Sequence, residues 1–165
     1  MKIIVGLGNP GSKYQNNRHN VGARFARALK SSQINPIYQI VIPKVFMNDS
    51  GKAVREALRT KGLAFRARKA RPFKDLYIVH DDLDIPLGKW KIQFGKGPKC
   101  HNGLTSIYQA LGTDQFWHVR IGVDNRTPEN RIPGEEYVLR DFTKEEGETI
   151  DKVIEKIKNQ NLTKR

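Results

Sequence analysis

The chain has 165 residues, enough for one domain, and a single hydrophobic core suffices at this length. No apolar run approaches the ~18 residues that a membrane span needs, and the opening stretch Met1–Gly6 is too short for a signal peptide. One cysteine, Cys100, excludes an internal disulfide and a cysteine-based zinc site. We therefore expect a single cytoplasmic domain over residues 1–165.

Positive charge is the strongest feature of the composition. The formal net charge is +13, and the isoelectric point is near 10.0. Such a surplus favours a polyanionic partner, because neutralising phosphates releases counterions and speeds encounter. Residues 1–48 contain no acid, and a second acid-free basic stretch covers Arg59–Lys74. Nucleic acid is the favoured partner, and a solvated surface that is merely basic is the alternative.

In chain order, the residue pattern predicts alternating strands and helices. A buried strand, Lys2–Val5, leads into the glycine turn Gly6–Gly11, and Asn20 is placed to cap the first helix. The next predicted elements are a strand Ile37–Ile42, a helix capped by Ser50 and ended by Gly62, a strand Leu76–Val79, and an acidic loop Asp81–Gly88. The last are a strand Trp90–Phe94, a helix capped by Asn102 and ended by Gly112, a strand Phe116–Val123, a polar loop Asp124–Gly134, and a helix opened by the capping box Thr143–Glu146. This alternation favours an α/β fold, a single domain with a twisted, mixed, largely parallel sheet and helices on both faces.

The turn after the first strand, Gly6–Gly11, spells a G-x-G-x-x-G pattern typical of dinucleotide sites. Such sites need a helix that starts within the glycines and an acid about 20 positions later that binds the ribose. Here the predicted helix starts near Asn20, and the first acid is Asp49. The late helix start and the missing acid therefore argue against a nicotinamide or flavin site. The glycines are better explained as a turn that brings Asn9 into a cleft.

Five polar residues lie at the ends of predicted apolar elements, where open α/β sheets form their ligand crevice: Asn9, His19, Asn48, Asp81 and Asn102. Singly, each is equally well explained by a turn, a cap or the surface. Together they suit hydrolysis, because a histidine takes a proton from water near neutral pH and a carboxylate on its other nitrogen fixes its tautomer. Asparagine amides bind peptide amides and stabilise an oxyanion. No serine or cysteine has an obvious nucleophile setting, which favours direct attack of water on an ester.

The motifs around these residues resemble those of a known family. In chain order they are Gly6–Gly11 (GLGNPG), Tyr14, Arg18–Gly22 (RHNVG), Phe46–Gly51 (FMNDSG), His80–Asp84 (HDDLD), His101–Leu104 (HNGL) and Arg120–Gly122 (RIG). The chain is similar in these blocks to the bacterial-type peptidyl-tRNA hydrolases, over most of its length. The resemblance implies a monomeric cytoplasmic enzyme that hydrolyses the ester between peptide and tRNA and frees the tRNA for translation. It also implies that no metal or organic cofactor is needed.

The resemblance further implies a role for each matching residue. His19 corresponds to the catalytic base and Asp81 to the carboxylate that orients it. Asn9, counted as catalytic, corresponds with Asn48 and Asn102 to three asparagines that hold the peptide and the attacked carbonyl or water. The other implied substrate contacts are Tyr14 and Met47 in the cleft, His101 beside the substrate asparagine, and Arg120 at a tRNA phosphate.

The chain departs from the family pattern in two places that affect RNA contacts and access to the cleft. The glycine-rich run before H-N-G is here Gly95–Cys100, and Pro98 stiffens that gating loop by fixing φ. Gln93 stands where the family usually has a lysine as the partner of Arg120. A nearby lysine substitutes for it, or the phosphate grip is weaker.

Two rival functions stay open on the sequence. A catalytically silent RNA-binding relative, like the plant chloroplast proteins of this fold that assist intron splicing, would explain the charge and the altered loop. A metal-dependent nuclease or phosphatase would use Asp81, Asp82 and Asp84, since clustered carboxylates hold Mg²⁺ beside a phosphate. Retention of His19 and the asparagines disfavours the first rival, and the lack of a second carboxylate cluster disfavours the second.

Overall fold

A computed structural model describes residues 2–32, 38–60, 72–160 and 162. The strands are Lys2–Gly6 (β1), Tyr38–Val41 (β2), Phe73–Pro86 (β3), Trp90–Phe94 (β4) and Phe116–Asp124 (β5). They form one sheet in the order β2-β1-β3-β5-β4. The pairs β1–β2, β1–β3 and β3–β5 are parallel, and β4 pairs antiparallel with β5. The predicted mixed, largely parallel sheet is confirmed.

Helices cover both faces of this sheet, as predicted. They are Val21–Ser31 (α1), Ser50–Arg59 (α2), Asn102–Leu111 (α3), Gly134–Tyr137 (α4) and Lys144–Asn159 (α5). Because successive strand residues point to opposite faces, Ile4 packs with α1 and α5. Its neighbours Ile3 and Val5 pack with α2 and α3 on the other face. That residues 1–165 form a single domain stays a prediction.

Two predicted helix caps lie one residue from the observed ones. Asn102 is the first residue of α3, and the cap is His101, whose imidazole accepts a hydrogen bond from the Leu104 amide at 3.3 Å. Ser50 is likewise the first residue of α2, after the cap Asp49. Both predictions relied on residue preference alone, which does not distinguish between adjacent polar residues. The capping box predicted at the start of α5 is confirmed.

The segment predicted as an acidic loop, Asp81–Gly88, is mostly strand. β3 continues through it because Asp81 and Asp82 pair in register with Ile121 and Gly122 of β5. Both aspartates are buried, and each carboxylate has a basic side chain as partner. Those partners offset the low strand preference of aspartate, which the residue pattern alone could not show.

Some predictions lie outside the described residues. They concern Ile37 at the start of the second predicted strand, Gly62 as a helix stop, and residues 61–71 of the basic stretch. Among the described helices, none combines the length and apolar character needed to cross a bilayer.

The strand order places a cleft between β1 and β3. The chain passes from β1 to β2 on one side and then to β3 on the other, and such a reversal opens a crevice at the carboxyl ends of parallel strands. At this reversal, Gly22 of α1 packs directly against the backbone of Leu7 and Val79. A Cβ on Gly22 would lie 2.1 Å from the Val79 carbonyl oxygen and 2.7 Å from the Leu7 amide nitrogen. Since both are backbone atoms, they have little freedom to move away.

We therefore expect Gly22→Ala to lower the free energy of unfolding by roughly 3 kcal/mol, because the added methyl group overpacks the junction of α1 and the sheet. The matched control is Gly147→Ala in α5, where a Cβ would meet only Arg24 side-chain nitrogens at 3.6 and 3.7 Å. That control is expected to gain roughly 0.5–1 kcal/mol from the better helix propensity of alanine. Urea denaturation of both variants measures the difference, and equal midpoints would contradict this account.

Candidate active site

An open cleft of about 420 Å³ lies at the reversal point of the sheet. Seven of the predicted site residues line it: Asn9, His19, Met47, Asn48, Asp81, His101 and Asn102. They come from the segment after β1, the turns before α1 and α2, the start of α3 with its cap, and the middle of β3. Tyr14 and Arg120 are not among the lining residues. The structure therefore brings together side chains that lie as much as 93 positions apart in the chain, from Asn9 to Asn102.

His19 and Asp81 are in direct contact. The Nδ1 atom of His19 lies 2.8 Å from Oδ1 of Asp81, and both residues are buried. Because an ionised carboxylate only accepts, Nδ1–H donates, and Nε2 is left as the proton acceptor. Burial by itself would lower the pKa of His19, but the charge and the hydrogen bond of Asp81 outweigh it and raise that pKa above its ordinary value of 6.5. The pair thus stabilises the protonated imidazole.

His101 makes a second hydrogen bond to the same carboxylate oxygen. Its Nε2 lies 2.9 Å from Oδ1 of Asp81, while its Nδ1 accepts from the Leu104 amide. A neutral imidazole that accepts at Nδ1 carries its proton at Nε2, so His101 also donates to Asp81. Burial would raise the pKa of Asp81, but the imidazoles of His19 and His101 hold it well below its usual range. Asp81 is therefore a permanent carboxylate that two imidazole N–H groups fix in place.

The same three residues have the spacing of a metal site. Donor atoms of His19, Asp81 and His101 all lie within 4.8 Å of one another. However, the amide of Leu104 occupies the lone pair of His101 Nδ1, and the protonated Nε2 has no lone pair left for a metal. The donor set therefore fits a hydrogen-bonded carboxylate–imidazole group better than a metal centre.

Asn9 is held rigidly beside these residues. Its backbone amide donates to Oδ1 of Asn20 at 2.9 Å, and Nδ2 of Asn20 donates to its carbonyl at 2.8 Å. Asn20 stands at the cap position of α1, but its side chain binds Asn9 rather than the helix amides. The Met47 amide donates to Oδ1 of Asn9 at 2.8 Å. Among the described residues none accepts from Nδ2 of Asn9, so that amide group is left as a fixed donor in the cleft.

Arg18 fixes the backbone of its neighbour His19. Its guanidinium forms a buried ion pair with Glu146 and lies 4.1 Å from the ring centroid of Tyr137. The amide of His19 donates to the Val138 carbonyl at 2.8 Å. These contacts tie the turn that carries His19 to the segment before α5. In the sequence, Arg18 showed only as one more basic residue of the R-H-N motif.

Arg120 is largely buried and is paired with side chains of neighbouring strands. Arg120 is 6% exposed, and its guanidinium donates hydrogen bonds to the side chains of Asp82 and Gln93, both at 2.7 Å. In this position Arg120 acts as the counterion of Asp82, and the phosphate contact implied by the resemblance stays a prediction. Oδ1 of Asp82 also accepts a hydrogen bond from the Asp84 backbone amide. The side chain of Asp82 points to the opposite face of β3 from that of Asp81. Asp81 and Asp82 cannot share one metal ion, which argues against the carboxylate-based nuclease.

Two exposed apolar side chains stand on the rim of the cleft. Phe46 is 56% exposed and Leu139 is 49% exposed. Tyr14 lies outside the cleft lining, but its ring packs edge-on against Phe46 at a centroid distance of 6.1 Å. The sequence did not predict Leu139, since the four-residue helix α4 before it is too short to show a period. Of the remaining lining residues, Pro98 and Cys100 belong to the loop that the sequence analysis placed at the cleft, whereas Phe46, Leu83, Gly134, Glu135 and Val138 were not predicted as site residues.

Comparisons with known proteins identify the family of this chain. A sequence model of the family described as Peptidyl-tRNA hydrolase matches residues 3–163. The peptidyl-tRNA hydrolase of Pseudothermotoga lettingae is 41% identical over 171 aligned positions, which cover 94% of this chain and 86% of that protein. That of Syntrophotalea carbinolica is 35% identical, with 94% and 85% covered.

The fold has a matching solved structure. The crystal structure of peptidyl-tRNA hydrolase from Acinetobacter baumannii superposes with a TM-score of 0.73 at 29% sequence identity. The superposition covers 94% of this chain and 83% of that one. With the family model and the sequence relatives, this likeness leads to one conclusion: the chain belongs to the peptidyl-tRNA hydrolase family.

Proposed function

We propose that this chain hydrolyses the ester bond between a peptide and tRNA by direct attack of water, with His19 as the general base. The observation that supports this most is the contact between His19 Nδ1 and Asp81 inside the cleft, which leaves His19 Nε2 as the proton acceptor. Membership of the family supplies the substrate class. The reaction would free the tRNA for reuse in translation.

The proposed reaction has two steps. In the first, Nε2 of His19 takes a proton from water as the water oxygen attacks the ester carbonyl, and Asp81 stabilises the imidazolium that forms. The fixed Nδ2–H of Asn9 donates to the oxyanion of the tetrahedral intermediate. In the second, the intermediate expels the ribose oxygen, which takes the proton back from His19. The products are a peptide with a free carboxyl group and a tRNA with a free hydroxyl.

The rim of the cleft suits a substrate with two chemically different parts. The exposed ring of Phe46 offers a stacking surface for the terminal base of the tRNA. Leu139 offers an apolar contact for the peptide, and the exposed amides of Asn48 and Asn102 can pair with its backbone. The net charge of +13 would draw the tRNA to this surface. That the enzyme acts as a cytoplasmic monomer without a metal stays a prediction.

Removing the base tests the proposal directly. We expect His19→Asn to lower kcat about 10²–10⁴-fold on an N-acetylaminoacyl-tRNA, because no other group takes the proton from water. Hydrolysis by the unaltered chain should survive a chelator. Glu155→Gln, which changes an exposed side chain of α5 that pairs with Lys158, is the control and should keep its activity. Loss of activity with the chelator would indicate a metal enzyme. Tight tRNA binding without turnover in the unaltered chain would support the silent RNA-binding relative.

The dependence of kcat/KM on pH gives a second test. Since Asp81 raises the pKa of His19, the base is protonated and inactive below a midpoint that we expect above pH 6.5. Asp81→Asn should move this midpoint to lower pH, because an amide does not stabilise the imidazolium, and should lower kcat about 10²–10⁴-fold with KM little changed. The unaltered midpoint and that of the variant are measured by initial rates from pH 5 to 9. A fully active Asp81→Asn would show that the assigned pair is wrong.

A further inference from the structure

All four histidines of the chain form one connected group. The ring centroids of His19 and His101 are 4.8 Å apart, those of His101 and His80 are 5.3 Å apart, and those of His80 and His118 are 5.4 Å apart. His19 and His101 line the cleft. His80 and His118 are 0% exposed, and the proposed reaction does not use them. Their position behind Asp81 therefore needs another explanation.

The hydrogen bonds of the two inner histidines determine which ring nitrogen carries each proton. Nδ1 of His80 lies 2.9 Å from the backbone carbonyl oxygen of Asp81. A carbonyl only accepts, so His80 is protonated at Nδ1 and has a lone pair at Nε2. That Nε2 lies 3.3 Å from Nδ1 of His118, so His118 is the donor and is also protonated at Nδ1. One obligate acceptor thus sets both tautomers.

His80 contacts the main chain of Asp81 and the ring of His101. It binds the main chain of Asp81, and its ring packs edge-on against His101, which shares the Asp81 carboxylate oxygen with His19. His118 holds the His80 ring from behind and is itself held by stacking on Phe116 at 4.6 Å. Its Nε2 is buried and has no partner at hydrogen-bond distance among the described residues, although the Asp114 backbone lies close enough to raise the pKa of His118. A shift of His80 would therefore move Asp81 and His101 together.

The surroundings keep both inner rings neutral. Burial, with the nearby imidazoles of His101 and His118, holds the pKa of His80 well below its ordinary value. Burial is the main reason that the pKa of His118 falls to about 4, although Asp114 opposes it. The titratable and charged groups that face the pair are His101 and Tyr108 from α3 and its cap, Asp81 and Asp82 from β3, Arg120 from β5, and Asp114 before β5. Near neutral pH, neither ring therefore takes up a second proton, and the hydrogen bonds from His118 to His80 and from His80 to the Asp81 carbonyl keep their direction.

We propose that His80 and His118 are positioning residues for the His19–Asp81 pair. His118 donates to His80 and fixes its ring, and His80 in turn holds the Asp81 main chain and the His101 ring where the carboxylate reaches His19. The effect on hydrolysis rests on the proposed function, whereas the tautomers of His80 and His118 do not depend on it.

Two nearly isosteric variants separate positioning from packing. In His118→Asn, an amide N–H can take the place of the Nδ1–H donor, and in His118→Leu the same branched shape lacks a donor. We expect the Leu variant to have a kcat about tenfold lower and a KM within about twofold of the unaltered chain. A loss of about tenfold is what one hydrogen bond, here that from His118 to His80, contributes. Its acid midpoint should move to lower pH, because a displaced Asp81 stabilises the His19 imidazolium less. The Asn variant should keep most of kcat and the unaltered midpoint.

Equal kcat and equal midpoints in the two variants would overturn the proposal, as would a loss in the Leu variant without any shift of its midpoint. Thermal unfolding checks that both variants fold. If His118→Leu does not fold, the same comparison is made with His80→Asn and His80→Leu, since an Asn amide can donate to the Asp81 carbonyl.

The tautomers are measured separately by long-range ¹H–¹⁵N NMR correlation of the imidazole rings in the unaltered full-length chain. We expect His80 and His118 both to be protonated at Nδ1. A proton on Nε2 of either ring would overturn the proposal. This readout needs no turnover, so it decides the inference even if the chain does not hydrolyse the N-acetylaminoacyl-tRNA.

Discussion

One oxygen atom of Asp81 accepts hydrogen bonds from two imidazoles, and the surrounding elements are arranged to make that contact. A buried carboxylate is costly unless donors surround it, because the protein interior solvates charge poorly. β3 extends beyond the end of β1 and carries Asp81 to the reversal point of the sheet. The turn before α1 brings His19 from one side, and the cap of α3 brings His101 from the other.

The buried charges of this basic protein are balanced locally. Asp81 lies between two imidazoles, Asp82 is paired with Arg120, and Glu146 is paired with Arg18. The surplus of positive charge is therefore carried by other side chains, where it can act on a polyanion without altering the protonation of the site. Arg120 belongs to this local balance, because it is the counterion of the buried Asp82.

Much of the fold and the site could be predicted from the sequence, because it depends on local patterns. Apolar runs identified the strands, and the polar residues that follow them identified Asn9, His19 and Asp81. The predictions that were wrong or missing share a cause: each depends on contacts with residues distant in the sequence. The continuation of β3 through Asp81–Gly88 depends on β5 and on basic partners, and the burial of Arg120 depends on Asp82. The apolar rim at Leu139 depends on a helix too short to show a period.

The ion pair between Arg18 and Glu146 joins residues 128 positions apart in the chain. During synthesis, His19 leaves the ribosome early, but the α5 residue that anchors its turn is made near the end. Contacts between such distant residues form late in folding, since the intervening chain must first lose its freedom. A growing copy of this chain would therefore carry His19 long before it carries the contact that anchors the turn of His19. The turn that carries His19 would thus reach its final geometry only when synthesis of the chain is nearly over.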